Sequence, residues 1–282
     1  MAPVLADGRA MRENPLPDNH RDTQMNYETL TVAKEDAVDW LTLNRPVALN
    51  ALTRTMMDEL IDYFGRLADL PETRIVAMRG AGRAFCAGWD LKDQAMGPQQ
   101  LAAGGAAAAY RGARHASEIV RRMRRCPQPI IALIDGAACG GGFAMAAAAD
   151  IRIATPSARM NAAFIRIGLS GCDMGLSYHL PRIVGASVAS ELLLTGRFID
   201  ARRALATGLV SDVVPAESLA DTARGFIAEM LDATPLGLRL TKEGLNLNIG
   251  ATSVESATAV EDRNQALCIR SDEFLEKASR LA

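Results

Sequence analysis

Two short segments rich in small residues constrain this chain more than any other part of it. They are Gly82 to Lys92 (GRAFCAGWDLK) and Cys139-Gly140-Gly141-Gly142. Each follows an apolar run closed by glycine, Arg74 to Gly80 before the first and Pro129 to Gly136 before the second. Short apolar runs of this kind read as buried strands. Each segment is therefore a strand exit, where backbone N–H groups are left pointing outward and glycine lets a ligand approach closely. Two such exits, converging, make a pair of donors for one developing oxyanion. That arrangement stabilises an enolate or a tetrahedral intermediate, and losing one donor costs roughly 10²–10³ in rate.

The surrounding pattern is α/β. Residues 28–43 alternate as two short strands around a Lys34-Glu35-Asp36 turn. Thr53 to Leu70 has helical spacing through Met56, Leu60, Ile61, Phe64 and Leu67, with Thr53 placed as the cap. Met96 to Ala109, rich in Ala, Gly and Gln, reads as a mobile loop or frayed helix. The Arg121-Arg122-Met123-Arg124-Arg125 run reads as a solvated helix face with Ile119 and Met123 as its apolar edge. Ala144 to Asp150 continues helically from the glycines, Ile151 to Ala154 returns as a strand, and the pattern after about residue 200 is helical throughout. Strands alternating with helices imply an α/β core. Three segments are expected: a disordered arm or expression remnant over 1–25, a core over 26–200, and a C-terminal helical region over 201–282.

Composition removes several function classes. A net charge of -2 and a pI near 6.0 argue against nucleic-acid or membrane-surface partners. No apolar run approaches the ~20 residues of a membrane span. The N-terminal arm carries Asp7, Arg9, Arg12, Glu13 and Asp18 without an apolar stretch, which is unlike a secretory signal. Cysteines 86, 126, 139, 172 and 268 form no CxxC pair, so reduced thiols in a cytoplasmic protein are expected. Cys86, Cys139 and Cys172 read as small apolar packing residues. No His/Cys/Asp cluster has metal-ligand spacing, and no GxGxxG or Walker loop occurs, so neither a metal nor a separate cofactor is expected.

These segments also carry a family resemblance. Together with Leu43-Asn44-Arg45-Pro46, Ala48-Leu49-Asn50-Ala51-Leu52 and the run from Glu191 to Val213, they resemble the crotonase (enoyl-CoA hydratase/isomerase) superfamily from about Tyr27 to about Phe274. The resemblance implies a spiral of ββα turns with a C-terminal helical region, assembled as trimers or paired trimers. It implies an acyl-CoA thioester as substrate, with coenzyme A entering only as part of it, and a role in fatty acid metabolism. The two amides polarising the thioester carbonyl fall at Trp89 and Gly141. The Trp89 indole either shapes the acyl pocket or is structural, and its N–H needs a partner in both cases. Ala87, Asp90, Leu91 and Lys92 match the coenzyme-contacting segment, with Lys92 placed to meet a CoA phosphate or simply exposed. Phe274-Leu275-Glu276-Lys277 aligns with the family's CoA-contacting tail only after a shift of register.

The two glutamates of the hydratase branch fall, by motif, at Ala144 and Phe164. Alanine and phenylalanine cannot position or deprotonate water. Phe164 is read instead as a substrate contact. One carboxylate remains: Asp173, in Gly171-Cys172-Asp173-Met174-Gly175 ahead of Leu180-Pro181. It resembles the single catalytic carboxylate of double-bond isomerases, including dienoyl-CoA isomerase and the phenylacetate-pathway isomerase. The latter also has an Ala-Phe pair where Ala163-Phe164 lie, although one extra residue separates Gly168 from Asp173. An allylic proton shift needs one base that removes a proton and returns it further along the chain. The other reading of Asp173 is a turn or cap between glycines. Tyr178 and His179 are weaker candidates; His20 lies in the arm and His115 in a variable segment. The reading is an enoyl-CoA isomerase acting through Asp173. Its rivals are a hydratase, an acyl-CoA hydrolase or decarboxylase, and a thioester-binding protein without turnover.

Overall fold

The computed structural model describes residues 26–281; the arm expected over 1–25, His20 included, lies outside the described residues. The chain opens with β1 (Leu30–Glu35) and β2 (Val38–Leu43), paired antiparallel from Leu30↔Leu43 to Glu35↔Val38. Asp36 reverses the chain at φ 51°, a left-handed conformation that Asp adopts more readily than most residues. Next comes α1 (Arg54–Arg66), where the Thr53 hydroxyl accepts from the Met56 N–H at 3.2 Å as an N-cap. Its buried Met56, Met57, Leu60, Tyr63 and Phe64 lie on one face, as the helical spacing predicts.

The chain then repeats a strand–strand–helix turn. β3 (Ile75–Gly80) and β4 (Ala84–Cys86) lead into α2 (Pro98–Ala103) and α3 (Gly105–Arg125). β5 (Ile130–Ile134) and β6 (Ala137–Cys139) lead into α4 (Gly141–Ala148), and β7 (Ile151–Ala154) and β8 (Arg159–Asn161) into α5 (Leu176–Thr195). β9 (Ile199–Asp200), α6 (Ala201–Ala206) and β10 (Asp212–Val213) follow, and then α7 (Leu219–Asp232), α8 (Pro235–Asn248), α9 (Val254–Ile269) and α10 (Asp272–Leu281). The first strand of each turn joins a sheet of order β1-β2-β3-β5-β7-β10, and the second joins a sheet of order β4-β6-β8-β9. This is the expected α/β spiral of ββα turns with a helical C-terminal region.

The large sheet is buried on both faces, which is why β3 and β5 read as unbroken apolar runs. Val76, Met78, Ile130, Ala132 and Ile134 face the main core with α1, α3 and α4. Ile75, Ala77, Ile131 and Leu133 face the other way, onto Ala223 and Ile227 of α7. The period of two in a strand thus divides one sequence run between two cores.

Two expectations need correction, and a third is decided between its alternatives. Of the loop and the helix expected over Met96 to Ala109, the structure has the helix: α2 and the first turn of α3 occupy it, broken where Gly105 takes φ 68°. Alanine, the strongest helix former, outweighs the glycines. The arginine run is only partly a solvated face. Arg121 and Arg122 share Glu118, but Arg124 reaches Asp150 at 2.8 Å, the Ala148 carbonyl and the Asn246 side chain. Arg124 stands two residues past Arg122, so it lies on the opposite side of the helix, toward the C-terminus of α4. Finally, the chain after residue 200 is not helical throughout, because β10 pairs parallel with β7 and extends the large sheet.

Candidate active site

The two small-residue segments leave adjacent parallel strands, β4 and β6, and converge. A Cβ on Gly88 would lie 2.7 Å from the Cys139 carbonyl oxygen and 3.6 Å from the Gly140 Cα. Only glycine permits that approach, and at φ 92° only glycine adopts the backbone without strain. Beyond Gly88 the chain bridges to Leu52. The Leu52 N–H donates to the Gly88 carbonyl at 2.7 Å, and the Asp90 N–H donates to the Leu52 carbonyl at 3.0 Å. In a parallel bridge the amide between two bonded neighbours faces the opposite side. The Trp89 N–H accordingly points away from Leu52 and has no partner among the described residues.

The second exit ends in α4. The Gly140 N–H donates to the Asn161 carbonyl, and the first helical bond runs from the Ala144 N–H to the Gly140 carbonyl. The N–H groups of Gly141, Gly142 and Phe143 are the free amides of a helix start. They sit at the positive end of its dipole.

Trp89 and Gly141 line a cavity of about 620 Å³ together with Phe164 and Asp173. Phe164 is 6% exposed and lies 3.4 Å from where a Gly140 Cβ would stand. Asp173 is half-buried just ahead of α5. Its Oδ1 accepts from the Met174 N–H at 2.8 Å, its one side-chain hydrogen bond among the described residues. The N-cap of α5 is Gly175, without a side-chain cap bond, so Asp173 forms a local turn contact rather than a helix cap. Burial raises its carboxyl above the ordinary value, and the Met174 N–H works against that rise. Met174 itself is held at φ 46°, an uncommon conformation for a non-glycine residue. Its Sδ reaches to 3.0 Å from where a Gly141 Cβ would lie. The turn bearing Asp173 is in this way packed against the amide of α4.

The remaining candidates separate. Leu91 lines the cavity and is exposed. Lys92 is exposed, and its N–H donates to Asp90 Oδ1. The Asp90 carboxylate is held by Arg45 at 3.0 Å, so it braces the turn that carries Leu91 and Lys92. Ala87 is half-buried and donates its N–H to the Leu49 carbonyl. Ala144 is fully buried within α4 and is not part of the cavity lining. Neither Tyr178 nor His179 lines it. Burial first, then Arg124, Arg152 and Arg182, lower the His179 pKa to about 4. Burial pushes the Cys86 thiol up to about 12, as suits packing, while exposed Cys172 lies at the cavity edge. No group of His, Cys, Asp and Glu among the described residues could hold a metal, and none of their helices is long and apolar enough to cross a membrane.

Sequence reasoning missed most of the apolar lining. Met57 comes from α1, Met96 and Leu101 from the α2 region, and Ala109, Gly112 and Ala116 from α3. The helical spacing of 109, 112, 113 and 116 was a usable signal that the composition of the stretch did not bring out.

Comparison with known proteins shows the family. Residues 33–280 match the family model described as enoyl-CoA hydratase/isomerase. The chain belongs to that family. A probable enoyl-CoA hydratase of Mycobacterium leprae is 38% identical over 240 residues, covering 85% of this chain and 82% of the relative. The 1,2-epoxyphenylacetyl-CoA isomerase of Escherichia coli is 33% identical over 245 residues, covering 87% and 92%. The crystal structure of a putative enoyl-CoA hydratase from Streptomyces coelicolor superposes with a TM-score of 0.84 at 31% identity, over 100% of this chain and 96% of that one. Membership makes the chain an enzyme of the crotonase superfamily with an acyl-CoA thioester as its substrate. Two unsatisfied amides at one cavity are the feature that thioester chemistry requires.

Proposed function

We propose that this enoyl-CoA hydratase/isomerase family member shifts the double bond of an enoyl-CoA, with Asp173 as its single acid/base and the Trp89 and Gly141 amides as the oxyanion hole. One observation carries the reading: Asp173 is the one carboxylate among the residues lining the cavity that those amides share. The carboxylate removes the proton from the carbon next to the thioester carbonyl. Its electrons pass into the conjugated system, and the carbonyl oxygen takes up negative charge that the two N–H groups stabilise. Protonated Asp173 then returns the proton two carbons further on, and the double bond closes into conjugation. Burial suits this role because a raised pKa makes the ionised carboxylate a stronger base. Ala144 and Phe164, at the motif positions of the hydratase glutamates, supply no group to activate water.

Ala87, Leu91 and Lys92 are read as coenzyme contacts and Phe164 as an acyl contact, with Asp90 acting through Arg45 to hold the segment. Exposed Leu245, Val254, Leu267 and Leu275 on the C-terminal helices support self-association as a trimer or paired trimers. Free thiols support a reducing compartment such as the cytoplasm.

The test incubates wild type and Asp173→Asn with 3-enoyl-CoA and 2-enoyl-CoA in D₂O, following the conjugated thioester by absorbance and mass. Double-bond migration with deuterium uptake that collapses in the variant is expected. Hydration that survives the substitution overturns the role of Asp173 and restores a hydratase. Tight binding with neither reaction leaves a thioester-binding protein.

A further inference from the structure

The lining of the cavity bears on the acyl group, granted the acyl-CoA reading above. On α3, residues Ala109, Gly112, Ala113 and Ala116 all line it, on one helix face as spacings of three and four dictate. None carries more than a methyl group, so this wall is recessed. Leu101 and Met96 fill the space over Gly112, coming within 3.1 and 3.5 Å of where its Cβ would lie, so the open part of the recess lies over exposed Ala109 and Ala113. Near the reacting end the lining includes Trp89, Phe164 and the Met174 thioether, and Met57 lines the cavity as well. Aromatic rings and thioether sulfurs make favourable contacts with another ring beyond the area they bury.

Charge gives a second constraint. No lysine or arginine side chain lines the cavity, and its ionisable groups are Asp173 and Cys172. An acyl group with its own carboxylate would be desolvated beside Asp173 with no cation to meet it.

We propose that the enzyme selects an uncharged, aromatic acyl group, and that the Ala109–Ala113 face of α3 sets the width available to it. A ring fills the recess over the small side chains, which a narrow linear chain leaves open.

Binding of saturated thioesters tests this without depending on Asp173 chemistry. Dissociation constants are measured by calorimetry for 3-phenylpropanoyl-CoA, butanoyl-CoA and glutaryl-CoA. The phenyl ester is expected to bind at least about tenfold tighter than the butanoyl ester, the gain from burying a ring-sized apolar group. Glutaryl-CoA is expected to bind no tighter than butanoyl-CoA. In Ala113→Leu, an added side chain on an exposed helix face, the phenyl-to-butanoyl preference is expected to fall toward one, while measurable butanoyl-CoA binding reports an intact site. Equal wild-type affinities, tightest binding of glutaryl-CoA, or a preference unaltered by Ala113→Leu would overturn this inference alone. Failure of all three esters to bind would instead sink the acyl-CoA reading.

Discussion

Gly142 tests whether the two strand exits must be held at their observed separation. It is the second residue of α4, and a Cβ there would lie 2.3 Å from the Cys86 carbonyl oxygen and 2.7 Å from the Cys86 Cβ. Ordinary contact begins at 3.4 Å. Gly142→Ala therefore forces a retreat of roughly 1 Å in a close-packed interior. The obstacle is backbone, which cannot swing aside as a side-chain tip would. Cys86 ends β4 and directly precedes the Trp89 segment, so the retreat spreads the Trp89 amide from the Gly141 amide. Overpacking costs about 1–3 kcal/mol, offset by up to ~1 kcal/mol because alanine favours a helix over glycine. The expected net loss is about 1–2 kcal/mol, read as a fall in Tm. A misplacement of about 1 Å at a reacting centre costs on the order of 10²-fold in kcat, read from the rate of enoyl-CoA conversion. Gly225→Ala is the control. It lies within α7 with nothing inside 4 Å of its Cβ position, so it should gain slightly in stability and keep kcat. A Gly142→Ala enzyme with unchanged Tm and kcat within about twofold of wild type would refute the reasoning.

Asp173→Asn is expected to lower kcat by about 10²–10⁴-fold and yet to stabilise the protein at neutral pH. Folding penalises the ionised carboxylate, so its cost is present above the raised pKa and vanishes once Asp173 is protonated in both states. Urea unfolding at several pH values should show the advantage fade as pH falls through the raised folded-state value and vanish below the ordinary carboxylate value. Lys242→Met should cost about 3 kcal/mol by chemical denaturation. Lys242 is 4% exposed, pairs with Asp150 at 2.9 Å and donates to the Met123 and Gln128 carbonyls, all of which lose a partner together. His179 should stay neutral until about pH 4 by NMR titration. Because the unfolded chain takes up that proton near pH 6.5, stability contributed by the neutral ring is present above 6.5 and lost as pH falls toward 4.

The parts legible in the sequence were those in which local pattern and burial agree. β3 and β5 could be read because a sheet covered on both faces demands an unbroken apolar run, and α1 because its cap and apolar face coincide. The strand exits at Trp89 and Gly141 were legible because close backbone approach restricts the adjoining positions 88 and 142 to glycine. The α3 wall of the cavity was not, since alanine-rich sequence looks alike in a mobile loop, a frayed helix and a helix beside a cavity. Arg124 was misread for a related reason: helical spacing gives a side chain's direction but not what another element places there. Nor could local sequence disclose that Arg45 holds Asp90, a contact between residues far apart in the chain.

The bridge between Leu52 and Trp89 has a consequence for which changes this enzyme tolerates. Leu52 grips the residues on either side of Trp89, so the direction of the Trp89 amide is fixed by counting along the segment and not by the indole. Substitution at position 89 leaves the donor in place, which is how so large a side chain can stand there. Inserting or deleting one residue between Cys86 and Asp90 would do the reverse. It would shift the alternation by one residue and turn the Trp89 N–H toward Leu52, away from the cavity. The segment is thus intolerant of length change, and its freedom to vary belongs to position 89 and not to Gly88, where only glycine fits.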